Sequence, residues 1–294
     1  MKNTAMGFTE HHYPTHDGLT LYYRCYGSGG DVVVCLPGLT RNSRDFDEIA
    51  THLATRYRVL CLDLRGRGRS GRDPDWRNYH PATYISDTWS LLDQQGIASA
   101  ILIGTSLGGL MAMIMASQQA GRVQAVILND AGPEADPAGY ARILASFEQQ
   151  GVVKNWPDAI RQCRQTYEAA LPDMPEAFWR DFVRRNYREG ANGQPELDSD
   201  PNIGEAIRKG DLSRIAGIQV DPWAAFGAVT MPCLVLRGEL SDILSADIVE
   251  RMARLKPDLK QAVIPKRGHA PLLNEPASIK AIDAFLKHTL MNGA

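Results

Sequence analysis

The stretch Gly104-Thr105-Ser106-Leu107-Gly108 sets a serine between two glycines, with the apolar run Ala100–Ile103 before it and Leu110–Ala116 after it. The first run reads as a strand and the second as a helix. A serine on such a strand-to-helix turn, in a G-x-S-x-G pattern, has the clearance that larger neighbours would remove. Backbone N–H groups at the helix start, that of Leu107 first, together with the helix dipole would stabilise negative charge developing beside Ser106. The competing role for the hydroxyl is an ordinary helix N-cap.

A serine hydroxyl is a weak nucleophile at neutral pH, so this chemistry requires a histidine base and an acid to orient it. Of the seven histidines, His11, His12 and His16 fall in the N-terminal segment, His52 and His288 in charged helices, and His80 beside a predicted helix start; solvated or structural roles suit all six. His269, in AVIPKRGHAPLLNEP, follows the last predicted strand, and loops at that edge of an open α/β sheet gather into its site. Asp242, in LRGELSDILS after the penultimate strand, is the expected acid. Asp130, in VILNDAGP after the strand before that, is the rival, and Glu239 is third. Asp130 is otherwise expected to hold a turn or the entrance to an inserted segment.

These residues must be positioned by an α/β framework. Short apolar runs such as DVVVCLPG, YRVLCLDLRG, SAILIGTS and VQAVILNDAG suit strands buried on both faces, and they alternate with helical stretches, which calls for parallel pairing with right-handed crossovers. The rhythm breaks over residues 134–222, where helices punctuated by prolines are expected and no strand is, and it resumes at MPCLVLRGEL. The fold class is therefore α/β, a mostly parallel doubly wound sheet of about eight strands. Residues 1–133 and 223–294 form the core and residues 134–222 an inserted helical cap.

With Ser106, Asp242 and His269 in this chain order, the sequence from about residue 19 to 290 resembles the α/β-hydrolase family, in the branch with a helical cap inserted before the last core strands. The resemblance implies a Ser-His-Asp triad and an oxyanion hole. It aligns CLPGLTRNSRDF with the family's first oxyanion loop, so that the Leu39 N–H joins that of Leu107. Many members have His-Gly where this chain has Pro37-Gly38, a departure that leaves the backbone donor intact. Serine at position 106 also argues against the family's dehalogenases and epoxide hydrolases, which use an aspartate there.

The function expected is hydrolysis of a small carboxylic ester or lactone through an acyl-enzyme, with no cofactor and no metal. The alternatives are a carbon–carbon bond hydrolase of ring-fission products, a perhydrolase or haloperoxidase side activity, or a hydrolase-fold sensor of small molecules, because fold does not decide chemistry. A net charge of −2 offers no general attraction to nucleic acid or anionic membrane, which favours a small-molecule substrate. No run approaches the ~18 apolar residues of a membrane span, and the N-terminus has no signal-like apolar core, so a cytoplasmic location is expected. The five cysteines form no CxxC pair and read as buried free thiols. Arg65, Arg67, Arg69 and Arg72, clustered among glycines, read as a turn whose arginines tie loops together. Tyr140, Trp156, Phe178, Trp179, Phe182 and Tyr187 supply the inserted segment's core and part of an apolar pocket wall, implying a substrate with an apolar portion.

Overall fold

A computed structural model describes residues 7–148, 153–209 and 221–291. Its strands are β1 (Phe8–Pro14), β2 (Thr20–Tyr26), β3 (Val32–Leu36), β4 (Arg58–Asp63), β5 (Ala100–Thr105), β6 (Val123–Asn129), β7 (Tyr187–Glu189), β8 (Pro195–Leu197), β9 (Cys233–Gly238) and β10 (Lys260–Ile264). Eight of them form one sheet in the order β1-β2-β4-β3-β5-β6-β9-β10. The β1/β2 and β2/β4 pairs are antiparallel and the other pairs are parallel.

Side chains alternate faces along a strand, so a strand covered on both sides must be apolar at consecutive positions. Val34, Leu36, Leu60, Leu62 and Leu102 pack beneath α2 (Pro81–Gln94), α3 (Leu107–Gln118), α8 (Pro222–Gly227) and α9 (Ala246–Leu255). Their strand neighbours Val33, Cys35, Val59, Cys61 and Ile101 face α1 (Asp47–Leu53) and α10 (Pro276–Met291). All five cysteines are free and buried. Among the described residues, no helix is long and apolar enough to cross a membrane.

Between β6 and β9 the chain leaves the sheet and forms α4 (Pro137–Glu148), α5 (Trp156–Tyr167), α6 (Glu176–Phe182) and α7 (Asn202–Lys209). This segment has its own apolar cluster, built around Cys163, Leu171, Trp179, Phe182 and Tyr187. The expectation that residues 134–222 contain no strand is corrected: β7 and β8 pair antiparallel around a turn at Gly190–Gln194. Strands of three residues are too short for alternation to register, and Asn192-Gly193, with Gly193 at φ 76°, was the available turn signal. A further strand, β1, forms at the sheet edge from a histidine-containing segment with few apolar residues, as edge strands tolerate.

Backbones approach closely where β5 turns into α3. A Cβ on Gly104 would overlap the Gly108 carbonyl, and one on Gly108 would overlap the Leu36 carbonyl of neighbouring β3, so backbone meets backbone with no flexible side chain to yield. Gly108→Ala is therefore expected to destabilise the fold by ~3 kcal/mol or more, the upper end for overpacking. Gly121→Ala, with open space around it, serves as control. Urea unfolding of the two variants checks this, and equal midpoints would contradict the packing described.

Candidate active site

At the end of β5, Ser106 takes φ 53° and ψ −116°, a left-handed conformation that non-glycine residues rarely adopt. Its carbonyl accepts the N–H groups of Gly109 and Leu110, which starts α3, but its side chain makes no capping bond. The N-cap role is thus excluded, and the hydroxyl is directed to His269. Ser106 Oγ lies 2.8 Å from His269 Nε2, and His269 Nδ1 lies 2.7 Å from Asp130 Oδ2.

The acid beside His269 is therefore Asp130, which corrects the expectation that Asp242 would be there. Asp130 is the first residue after β6, has 0% exposure, and takes φ 50°. Its Oδ1 accepts the Gly238 N–H at 2.8 Å, and its Oδ2 accepts the Ser241 hydroxyl at 2.6 Å as well as the His269 bond. Asp242 instead accepts Arg142 Nε and Nη2 at 2.5 and 2.9 Å. Those bonds hold its carboxyl below the usual range, and its side chain remains 42% exposed. An exposed pair of this kind contributes about 0–1 kcal/mol, whereas a carboxylate with no exposure depends on the hydrogen bonds it accepts. Glu239 accepts the Lys266 N–H at 2.8 Å.

Three strand ends hold this chain of bonds in place. Asn129, the last residue of β6, donates from Nδ2 to Thr105 Oγ1 at the end of β5 and to the Pro271 carbonyl in the His269 loop. That loop is pinned by Arg267, whose Nε donates to buried Glu275 and whose Nη1 donates to Asp173. Of the other histidines, His52 pairs with Asp283 and His80 caps α2 by accepting the Ala82 N–H.

The loop after β3, which carries Leu39, is held from behind. Arg67, at 0% exposure, donates Nε and Nη2 to the single Leu39 carbonyl at 2.9 and 2.7 Å, and Nη1 to the Arg65 carbonyl and the Tyr84 hydroxyl. Arg65 donates a two-pronged bond to Asp87 and further bonds to Asp73 and Asp17. Both arginines thus tie loops together, as their setting among glycines implied. Asp63, at the end of β4, receives the N–H groups of Ser43 and Arg69, yet burial keeps its pKa raised. A Cβ built on Gly38 would stand 3.8 Å from Ser106 Cβ, so this loop borders the serine directly.

A cavity of about 190 Å³ opens over Ser106 and His269, small beside ligand pockets of roughly 300–1,000 Å³. Gly38, Leu39, Thr40 and Arg41 form one side. Of the aromatics expected on its wall, Phe182 and Tyr187 are there; Trp156, Phe178 and Trp179 belong to the inserted segment's own cluster and Tyr140 is exposed. Tyr167, Arg41 and Asn186 on the wall were missed. Arg41 is nine-tenths buried: burial opposes its charge, but Asp45 together with Tyr167 and Cys163 outweighs that and holds the guanidinium above its ordinary pKa.

Residues 31–276 match the family model described as alpha/beta hydrolase fold. Over 273 residues the chain is 32% identical to the 3-hydroxybutyrate-oligomer hydrolase of Cupriavidus necator, covering 90% of this chain and 93% of that protein. It is 28% identical to the 2-(acetamidomethylene)succinate hydrolase of Mesorhizobium japonicum, over 91% of this chain and 92% of that one. A solved α/β hydrolase from Novosphingobium aromaticivorans, 40% identical, superposes with a TM-score of 0.88 over 96% of this chain and 98% of that chain. The eight-stranded sheet, the hydroxyl on the turn after β5 and these likenesses across most of its length agree: the chain belongs to the α/β-hydrolase family.

Proposed function

We propose that this hydrolase cleaves small carboxylic esters through Ser106, His269 and Asp130. The observation that carries the reading is the continuous set of bonds from Ser106 Oγ through the His269 ring to the buried Asp130 carboxylate. Ser106 Oγ attacks the ester carbonyl carbon as its proton passes to His269 Nε2. Asp130 accepts the Nδ1–H and stabilises the imidazolium that results. The N–H groups of Leu39 and Leu107 hold the oxyanion, Arg67 steadying Leu39 through its carbonyl. Collapse of the tetrahedral intermediate breaks the ester C–O bond, and the alcohol leaves with the proton from His269. Water, deprotonated by His269, then attacks the acyl carbon and releases the acid and the Ser106 hydroxyl.

The cavity's small volume supports a short-chain substrate. The relative from Cupriavidus necator is named for oligomers of 3-hydroxybutyrate, which supports esters of short hydroxy acids as the first compounds to try. In this reading residues 134–222 act as a cap whose inner wall limits substrate size. The carbon–carbon and sensor readings draw on no feature of the site that ester hydrolysis leaves unused.

Intact-mass analysis after a fluorophosphonate probe is expected to show one adduct on the wild type and none on Ser106→Ala. Ester turnover that survives in Ser106→Ala at near the wild-type rate would overturn the reading. Asp130→Asn, which presents an N–H to His269 Nδ1 and favours the wrong tautomer, is expected to lower kcat roughly 10³–10⁴-fold. Asp242→Asn should change kcat on a neutral ester by less than about threefold, since the lost bond is an exposed pair. Reversed sensitivities would restore Asp242 as the acid. Arg67→Met, in a variant shown to be folded, is expected to reduce kcat by ~10–100-fold with little change in KM, because Leu39 loses its anchor and oxyanion stabilisation is felt mainly in the transition state. A rise in KM at constant kcat would contradict that role.

A further inference from the structure

The charged groups on the described cavity wall are Arg41, Arg142 and Asp45, apart from His269 itself. Arg41 and Asp45 form a closed unit. Asp45 takes Arg41 Nε and Nη2 at 2.7 and 2.6 Å, and Nη1 donates to Asn186 and Tyr167. The guanidinium also stacks 4.8 Å from the Phe182 ring. A ligand would have to break a buried, bidentate pair to use it, leaving Asp45 without its counter-ion.

Arg142 is also held by two parallel bonds, but it differs in burial and in where its partner stands. It lines the cavity, but its partner Asp242 is not on the cavity wall, and the two side chains are 44% and 42% exposed. Separating them costs little, because water reaches both and Asp242 can be rehydrated where it stands. Arg142 also sits on a fixed support: α4 is tied to the loop after β9 by the Asp136 N–H on the Ile243 carbonyl at 2.8 Å. A change of partner therefore needs only side-chain rotation. With Arg41 neutralised by Asp45 inside the cavity, Arg142 leaves the wall with one positive charge that is balanced from outside.

We propose that the cavity selects esters bearing a free carboxylate, which Arg142 holds in exchange for Asp242 while the ester carbonyl lies at Ser106. This rests on the ester-hydrolase reading and specifies its substrate class. The small cavity limits carboxylate and scissile carbonyl to a separation of a few bonds. Guanidinium is suited to this because its planar fork accepts a carboxylate with two parallel bonds.

The test compares monomethyl glutarate with neutral dimethyl glutarate, and 3-acetoxybutyrate with neutral sec-butyl acetate, so that the carboxylate is carried on the acyl half in one pair and the alcohol half in the other. In the wild type, kcat/KM is expected to favour the anionic member of at least one pair by about tenfold, the scale of one charge-assisted hydrogen bond. Arg142→Gln should bring that ratio to near one, and added salt should lower it in the wild type. No preference in either pair, or a preference that Arg142→Gln keeps, overturns the proposal. Ester turnover independent of Ser106 would instead overturn the underlying reading, whatever the ratio. Calorimetric titration of Ser106→Ala with monomethyl glutarate and 3-acetoxybutyrate needs no turnover. Weaker binding of the better ligand on adding Arg142→Gln supports the proposal, and no binding or unchanged affinity overturns it.

Discussion

The Asp130 carboxylate, which has no solvent exposure, is the point on which the site depends. Removing an ionised carboxylate from water costs several kcal/mol, so the fold must return hydrogen bonds to it. It does so from two other strand ends: Gly238 at the end of β9 with Ser241 after it, and His269 after β10. Because β6, β9 and β10 are neighbours running in the same direction, their carboxyl ends emerge side by side. The parallel sheet thus brings together residues 139 positions apart in sequence without distortion of its ladders. On the other flank, β5 is paired with β6, which sets Ser106 within reach of the same imidazole.

A second layer of buried polar contacts determines where the loop after β3 can lie. Arg65 and Arg67 come from one glycine-rich turn after β4 yet serve different ends. Arg65 gathers three carboxylates and closes the turn on α2 and the N-terminal segment. Arg67 touches no carboxylate among its hydrogen-bond partners and spends two donors on one carbonyl, that of Leu39. A buried guanidinium satisfied by carbonyls and a phenol is costly to disturb, since each donor left unpaired would pay its full desolvation. The loop is consequently held in one place, as a backbone donor must be if it is to meet charge only when charge develops.

Much of this was legible in the sequence, and the misses have physical causes. The alternation of buried runs with helical stretches is strong because parallel strands covered on both faces need consecutive apolar residues, and Gly104, Ser106 and Gly108 mark a turn with no steric slack. Asp130 and Asp242 were harder to separate. Both follow strands of the same sheet, and one-dimensional patterning records neither the direction of a side chain nor its other partners. Asp130 lies immediately after its strand, where the chain is still in register with its neighbours, whereas Asp242 lies four residues past Gly238, where the chain has already turned toward α4. The cavity-wall Tyr167 and Asn186 gave no signal, because a helix buries several faces in an inserted segment and residue type alone does not say which meets a cavity.

The segment between β6 and β9 joins the core so that both line the space above Ser106 and His269. Its own aromatic cluster gives it internal cohesion, α7 adds Ile203, Ala206 and Ile207 to the core beside the sheet, and polar bonds join it to the core loops: Arg44 with Asp198, Asn42 with the Arg185 carbonyl, Arg185 with Glu48, and the Gly68 N–H with the Asp198 carbonyl. Hydrogen bonds are directional, so these contacts fix the segment's position over the sheet without demanding a continuous apolar interface. A space can therefore persist between the two bodies, lined by Leu171, Phe182 and Tyr187 on one side and by the Ser106 and His269 loops on the other. In this arrangement Ser106, His269 and Asp130 are carried by the loops at the strand ends, and the facing wall with Leu171, Phe182 and Tyr187 is carried by the segment above them.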